Sequence, residues 1–286
     1  MDSRFCLLLF SDGVSPSLLA AESPGKDVQG ILRRLVAGVG KDIDALPQRP
    51  EDRVHDIRVG MKKFRSVLRL AERALRRPAF AKSDKLARRL KDHFGSARDK
   101  DVQTELLLDL LDKNEALAAV EALGLAENRD PDRDSDAASA RETCYELASL
   151  VDQFNLAKLT RVDVVEAWLD SYRNSRRAMR ACRKDTDDDF LFHEWRKRVK
   201  AFLYQSATIG PPLDAFVRKA DCLASLLGSH HDLALLTERL AGRMAGSKAE
   251  RAALTRKKLV ARRALAMGGK LFAEKPSAMR GKAGWT

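Results

Sequence analysis

The sequence is poor in the residues and patterns that predict β-structure, zinc binding or secretion. Aromatic residues make up 6% of its 286 residues, and the alternating apolar runs of strands are nearly absent. The cysteines form no C-x-x-C pair, which argues against a zinc knuckle or a disulfide framework and fits a reducing cytosol. They are Cys6, Cys144, Cys182 and Cys222. We therefore expect an all-α, cytoplasmic protein.

Long apolar runs are missing as well. The run Phe5–Phe10 spans six residues, which is too short for the core of a signal peptide or for a membrane span. Residues 1–25 show no sustained periodicity. We expect them to form a flexible tail, and we expect no association with a membrane.

Motifs of phosphate-processing enzymes are not found. The sequence has no G-x-x-x-x-G-K-[ST] loop, no H-E-x-x-H and no carboxylate cluster on a basic face to hold magnesium. His55 and His193, with Asp99 and Asp232, could in principle bind a metal, but metal sites rarely lie among uncompensated arginines. We expect a protein that is not an enzyme and has no metal or cofactor. A metal-dependent phosphate-processing enzyme is the lesser alternative.

Positive charge is abundant. The sequence contains 53 lysines and arginines and 41 acidic residues, which gives a net charge of +12. Such a balance favours acidic partners, among them nucleic acid, anionic lipid and phosphate polymers.

One basic pattern occurs twice. His55-x-x-Arg58-x-x-x-Lys62 returns 138 positions later as His193-x-x-Arg196-x-x-x-Lys200, and a second element at 94–99 returns 133 positions later at 227–232. This period is too long for a solenoid and predicts two fused copies of a helical bundle. A duplicated pocket for a polyanion is the simplest interpretation.

The first pattern forms one face of a predicted helix. At about 100° per residue, its cations, extended by Arg65 and Arg69, share an arc of about 80° over roughly 21 Å. The opposite face is apolar and predicted to be buried; it comprises Ile57, Met61, Phe64, Val67, Leu68, Ala71 and Leu75.

The second copy repeats the apolar face with Trp195, Val199 and Phe202. Its cationic face is shorter, because Leu203 and Ala207 replace Arg65 and Arg69. Lys197 and Tyr204 lie near this face, and we expect the two halves to bind unequally.

A solvated surface is the alternative interpretation of any single basic face. Like charges three or four residues apart destabilise a helix by a few tenths of a kcal/mol per pair, so recurrence of the pattern favours a ligand. The helix face formed by Arg173, Arg176, Arg177 and Arg180 is either solvated surface or the border of the same groove. For Lys257, Lys258, Arg262 and Arg263, solvated surface is expected.

The second element contains a glycine and an aspartate in both copies. We expect Gly95 and Gly228 to end helices in a left-handed conformation. Asp99 and Asp232 are expected to cap the next helices, and the alternative is that they orient a histidine or arginine of the site. Arg98 and His231 are candidates for ligand contact. Helices are predicted near 26–46, 51–77, 81–94, 99–124, 135–154, 163–182, 188–208, 212–227, 232–244 and 247–267, with a polar hinge at 127–136.

Four motifs carry a family resemblance. They are H-x-x-R-V-x-x-K-K-x-R at 55–65, L-x-x-x-F-G-x-x-R-D-x-D-V at 90–102, H-E-W-R-K-R-V-K at 193–200 and L-L-G-x-x-H-D-L at 226–233. Together they resemble the CHAD family, named for its histidine-containing α-helical domain. The resemblance covers about residues 26–286 as a single domain, with bundles at 26–126 and 137–286.

The resemblance implies two pseudo-twofold-related four-helix bundles around a central basic channel or groove. It also implies binding of long-chain inorganic polyphosphate, and association with polyphosphate granules and their proteins. By position, the channel residues are His55, Arg58, Lys62, Arg65, His193, Arg196, Lys197 and Lys200.

Nucleic acid is the alternative ligand. Single-strand binders usually place aromatic residues in the basic groove so that bases can stack. Here Phe64, Trp195 and Phe202 are assigned to the buried faces, and Tyr204 alone lies beside the cations. We therefore expect nucleic acid to be a secondary partner.

Overall fold

The computed structural model describes residues 22–48, 50–94, 98–125, 133–210 and 213–282, together with Leu18. Within these ranges the regular structure is entirely helical, and the all-α prediction is confirmed. The α-helices are α1 (Pro24–Asp44), α2 (Pro50–Leu68), α3 (Arg77–Asp92), α4 (Arg98–Leu110), α5 (Lys113–Ala122), α6 (Arg133–Asp152), α7 (Arg161–Lys184), α8 (Asp189–Ile209), α9 (Asp214–Arg243), α10 (Lys248–Leu271) and α11 (Pro276–Lys282).

Side-chain caps define several helix starts. Thr160 and Asp163 form a reciprocal capping box before α7, and the Asp188 carboxylate accepts from the backbone N–H groups of Phe190 and Leu191 at the start of α8. Ser247 caps α10 in the same way. Each cap satisfies an amide that the helix itself leaves without a partner.

Helices α1, α2, α3 and α6 pack in a ring, in which α1 and α3 each contact both α2 and α6. The predicted apolar face of α2 fills its centre, with Ile57, Met61 and Phe64 fully buried. The close approach of α1 and α2 depends on Gly60, because a Cβ there would lie 2.6 Å from Val39 Cγ2.

Helices α7, α8, α9 and α10 form a second ring of contacts. The predicted apolar face of α8 is buried in it through Trp195, Val199 and Phe202. Phe202 packs against Trp168 with ring centroids 5.9 Å apart and against Tyr172 at 5.7 Å. The periodic apolar positions of both motif copies are therefore buried inside the two rings, as expected.

The rings meet where α2 contacts α8, and both contribute to one large core. At this junction the Gln205 side chain donates from Nε2 to the Ser66 carbonyl over 2.9 Å. Helices α4 and α5 pack outside the rings against α9 and α10, around a small core that includes Leu107, Leu123 and Leu236. The pseudo-twofold relation between the rings stays a prediction.

The contacts group α6 with the first ring, whereas the sequence predicts a division before it, at 127–136. Ala140, Leu147 and Val151 of α6 are buried in the main core, and Gln29 of α1 donates to the Val151 carbonyl over 2.8 Å. The connection between the rings is 153–160. Residues 127–132 of the expected hinge, and nearly all of the expected N-terminal tail, lie outside the described residues.

Two predicted helices were too long. The one expected at 51–77 ends at Leu68 and continues as a 3-10 turn, Arg69–Ala71, that buries Leu70 and Ala71 side by side. The one expected at 99–124 divides because the Asp112 carboxylate accepts from the Glu115 N–H and starts α5. Helix α11 was not predicted.

The predicted break at Gly228 was wrong. Helix α9 runs through it, so Asp232 is not an N-cap, and Gly95 lies outside the described residues. Within the described ranges, left-handed glycines follow other helices, with φ of 61° at Gly124 after α5 and 73° at Gly246 after α9. Buried Leu223, Leu227 and Leu233 keep α9 continuous, because they form one apolar face across the glycine.

In the described part of the chain, none of the helices combines the length and the apolar character needed to cross a bilayer.

Candidate functional site

The two copies of the basic motif meet at the junction of α2 and α8. Burial, followed by the charges of Arg196, Arg58 and Lys91, lowers the pKa of Lys62 to about 8. Burial also lowers the pKa of Lys200 to about 7, together with the charges of Arg196 and Lys62. The motif cations of both repeats are therefore close enough to repel one another. We call Arg58, Lys62, Lys91, Arg196 and Lys200 the cationic cluster.

Each motif arginine lies against the second element of its own repeat. Arg58 donates from Nη1 to the Phe94 carbonyl over 2.8 Å. The Arg196 guanidinium lies 3.9 Å from the position that a Cβ on Gly228 would take. Gly228 corresponds to Gly95, which directly follows Phe94 in the first copy. The two motif arginines therefore make equivalent contacts in the two repeats.

Two histidines extend the cationic cluster on the side of the second repeat. His193 Nδ1 and His231 Nδ1 are 3.3 Å apart, and their ring centroids are 4.5 Å apart. The pKa of His231 falls to about 4, through burial and then through Arg196 and His193. Burial, Lys197 and Arg196 lower the pKa of His193 below its ordinary 6.5. Both imidazoles are therefore neutral at pH 7, and one can donate a hydrogen bond to the other.

The neighbouring His230 has a different role. It is buried and stacks on Phe192 with ring centroids 4.2 Å apart. Burial lowers its pKa to about 4 although Asp189 lies 3.7 Å away. His230 belongs to the packing of the second ring, whereas His231 faces the cationic cluster.

The other site residues predicted in the first copy are less closely linked to the cationic cluster. Arg65 donates to Asp84 over 2.7 Å, and Arg88 pairs with the same carboxylate. Arg69 is exposed on the 3-10 turn, and His55 is half-buried one turn before Arg58. Arg65 is thus held towards α3 by its own ion pair.

In the second copy, Lys197 is exposed and pairs with Glu194. Tyr204 is only 7% exposed and belongs to the main core, whereas we expected it beside the cations. Its ring therefore offers no open surface for stacking. The side chain of Arg98 lies outside the described residues.

The arginine face of α7 divides into two parts. Arg173 pairs with Asp170 at 2.6 Å, and Arg176 donates to the Phe272 carbonyl over 2.9 Å, which fixes the chain after α10. Arg177 and Arg180 are exposed. None of the contacts described for these four residues joins them to the cationic cluster.

Sequence reasoning missed two charged members of the site, Lys91 and Asp221. Lys91 reaches Lys62 from the last turn of α3, and Asp221 and Asp232 of α9 raise the pKa of Lys200 against the effect of its cationic neighbours. Lys91 lies one turn before the repeated element, which was the available signal. For Asp232 the expected cap was wrong, and its effect on Lys200 fits the alternative role beside the basic residues of the site.

Among the residues that the structure describes, no three histidine, cysteine or acidic side chains are grouped so that they could hold a metal ion.

A known family matches most of the chain. The model of the CHAD domain matches residues 31–241. The chain belongs to the CHAD domain family. The match spans both copies of the motif and ends within α9.

The crystal structure of the CHAD domain from the plant Ricinus communis is similar in fold, with a TM-score of 0.57, 20% sequence identity and coverage of 95% of each chain. At this identity the likeness concerns the fold alone. No significant match was found among curated proteins.

Proposed function

We propose that this CHAD protein binds long-chain inorganic polyphosphate at the cationic cluster and does not act as an enzyme. The observation that supports the proposal is the meeting of both motif copies in one half-buried group of cations. Like charges held together away from water destabilise the folded protein. A polyanion would relieve this repulsion and provide acceptors for the guanidinium and ammonium groups.

The residue types suit phosphate. Arginine can grip two phosphate oxygens at once, while lysine supplies a compact charge with three donors. The His193 and His231 pair adds a neutral N–H donor at the edge of the cluster. A chain of phosphates can engage several of these groups together, so long polymers should bind far more tightly than triphosphate.

The burial of the cluster favours a slender ligand. Lys62 and Lys200 owe their lowered pKa values first to burial, and a nucleic-acid duplex is too wide to follow them below the surface. Trp195, Phe202 and Tyr204 are buried in the core, so they cannot serve as platforms for bases. These features support polyphosphate over nucleic acid as the ligand of the cluster.

The cellular role follows from the ligand. We propose that the protein acts in the cytoplasm, where it associates with polyphosphate granules and with proteins bound to them. Asp232 and Asp221 raise the pKa of Lys200 and so favour its protonated form in the absence of ligand.

The test is a competition for binding between long-chain polyphosphate, transfer RNA and duplex DNA at matched phosphate concentration. The double variant Lys62→Ala/Lys200→Ala should lose polyphosphate affinity by at least about tenfold while keeping its helical circular-dichroism spectrum. The control variant, Arg34→Ala/Lys158→Ala, removes two exposed cations and should bind like the wild type. Equal affinity of the cluster variant and the control would refute the proposal.

A further inference from the structure

The net charge of the protein is concentrated at its C-terminal end. Residues 251–286 contain ten lysines and arginines and one glutamate, so they contribute nine of the twelve net positive charges. The first 250 residues, which carry both histidine motifs, are nearly balanced. The excess charge therefore needs an explanation separate from the cationic cluster.

Most of this charge lies on the outer face of α10. Its exposed cations are Arg251, Arg256, Lys258, Arg262, Arg263 and Lys270. The inner face is fixed in the protein by buried Ala253, Val260, Ala264 and Leu271. Because α10 packs along α9 on that inner side, the six cations point to solvent.

Acidic residues are scarce along this helix. The sequence has none between Arg251 and Ala273. Lys257 pairs with Asp189 at 2.7 Å, but its side chain is only 14% exposed and does not belong to the outer face. Arg256 has an exposed aspartate, Asp109, at 3.7 Å. An exposed pair at this distance contributes little and leaves the arginine accessible.

Helix α7 enlarges the same surface. A Cβ on Gly269 would lie 2.5 Å from Arg183 Nη2, so the guanidinium of α7 lies directly on α10 at this glycine. Arg180 and Lys184, on the same end of α7, are exposed. We call the six exposed cations of α10 together with Arg180, Arg183 and Lys184 the C-terminal basic face.

We propose that the C-terminal basic face binds the phosphate backbone of duplex nucleic acid, at a site separate from the cationic cluster. The cations from Arg251 to Lys270 extend over about 29 Å of helix, close to one turn of a duplex. All six are exposed, so a wide ligand can approach them. Phosphate contacts of this kind position a duplex without reading its sequence.

Two features favour a duplex over other anionic surfaces. No aromatic residue occurs between Arg251 and Leu271, so the face lacks the stacking platforms of single-strand binders. The apolar side of α10 is buried in the protein and cannot enter a bilayer, as the apolar side of a membrane-surface helix does.

The test compares charge removal at the two sites. Lys258→Gln/Arg262→Gln/Arg263→Gln should weaken binding of a fluorescent DNA duplex by about tenfold, and log K should depend less steeply on log salt, by about two to three units of slope. The polyphosphate affinity of this α10 variant should stay within about twofold of the wild-type value. The matched control, Arg34→Gln/Lys85→Gln/Lys158→Gln, removes three exposed cations elsewhere and should bind the duplex like the wild type.

Three results would overturn the inference: unchanged duplex affinity in the α10 variant, an equal loss in the control, or a parallel loss of polyphosphate affinity. Tighter binding to anionic vesicles than to the duplex at matched charge would also overturn it. The variant Lys62→Ala/Lys200→Ala should keep its duplex affinity. If that variant also keeps polyphosphate affinity, the proposed function of the cluster fails while the inference for α10 stands.

Discussion

Lys62 and Lys200 occupy the same position in the two copies of the motif, and the charge of Lys62 helps to lower the pKa of Lys200 to about 7. Lys62 itself has a pKa of about 8. Because the two lysines interact, both pKa values belong to the pair, and near pH 7.5 the free protein does not keep both lysines fully protonated.

Polyphosphate binding should take up protons. A polyanion at the cluster restores the ordinary basicity of both lysines, so about one proton per protein should be taken up at pH 7.5. Titration calorimetry in two buffers with different ionisation enthalpies measures this number. The groups that act on Lys200 are Arg196 and Lys62, which lower its pKa, and Asp232 and Asp221, which raise it.

The matched variant for this measurement is Lys200→Arg. Arginine remains protonated, so the variant should bind polyphosphate with clearly smaller proton uptake. For the same reason, wild-type affinity should rise as the pH falls from about 8 to about 6. His231, with a pKa of about 4, is neutral over this range in the free protein. Binding enthalpies that do not depend on the buffer would show that the lysines do not titrate on binding.

Stability without ligand should rise with pH above about 7. The two lysines have pKa values of about 7 and about 8 in the folded protein and near 10.4 when unfolded. Between these limits the unfolded chain binds more protons, so the free energy of unfolding increases with pH. Urea titrations at pH 7 and pH 9 should show that Lys200→Met reduces this increase by about 2 kcal/mol. An identical pH dependence in the variant and the wild type would contradict the assignment.

The periodic parts of this structure could be predicted from sequence. Ile57 and Trp195 are fully buried because apolar residues at helical spacing identify the inner face without knowledge of the partner helix. The site was harder to predict, since Lys91 and Asp221 come from other helices, and their proximity depends on how those helices pack.

Gly228 shows where a local rule failed. A glycine after an apolar helix is often a C-cap, but the apolar face of α9 continues beyond it, and packing against α8 and α10 decides the outcome. Once α9 is taken as one helix, the separate roles of His230 and His231 follow from their phase difference of about 100°.

Arg65 should contribute less to polyphosphate binding than Lys62. Arg65 already pairs with Asp84, whose side chain is 10% exposed. Burial raises the pKa of that carboxyl, but Arg65 and Arg88 together lower it by more. Arg65→Ala should therefore reduce affinity by less than about threefold, whereas Lys62→Ala should reduce it by about tenfold. Arg65→Ala should also destabilise the fold by about 1 kcal/mol or more, because a largely buried carboxylate loses a partner. Equal losses of affinity would place Arg65 in the binding site.

Gly268 should not tolerate a methyl group. A Cβ at this position would lie 2.5 Å from Trp195 Cζ2, and the indole is fully buried. Because the ring cannot move aside, Gly268→Ala should lower the free energy of unfolding by about 1–3 kcal/mol.

The control is Gly242→Ala in the last turn of α9, where a Cβ meets no atom within 4 Å. This substitution should stabilise the protein by about 0.5–1 kcal/mol, because alanine loses less backbone entropy than glycine in a helix. Urea midpoints of the two variants should therefore shift in opposite directions. If Gly268→Ala were neutral, the indole would have room to move, and the close contact between α8 and α10 would not limit the side chain at this position.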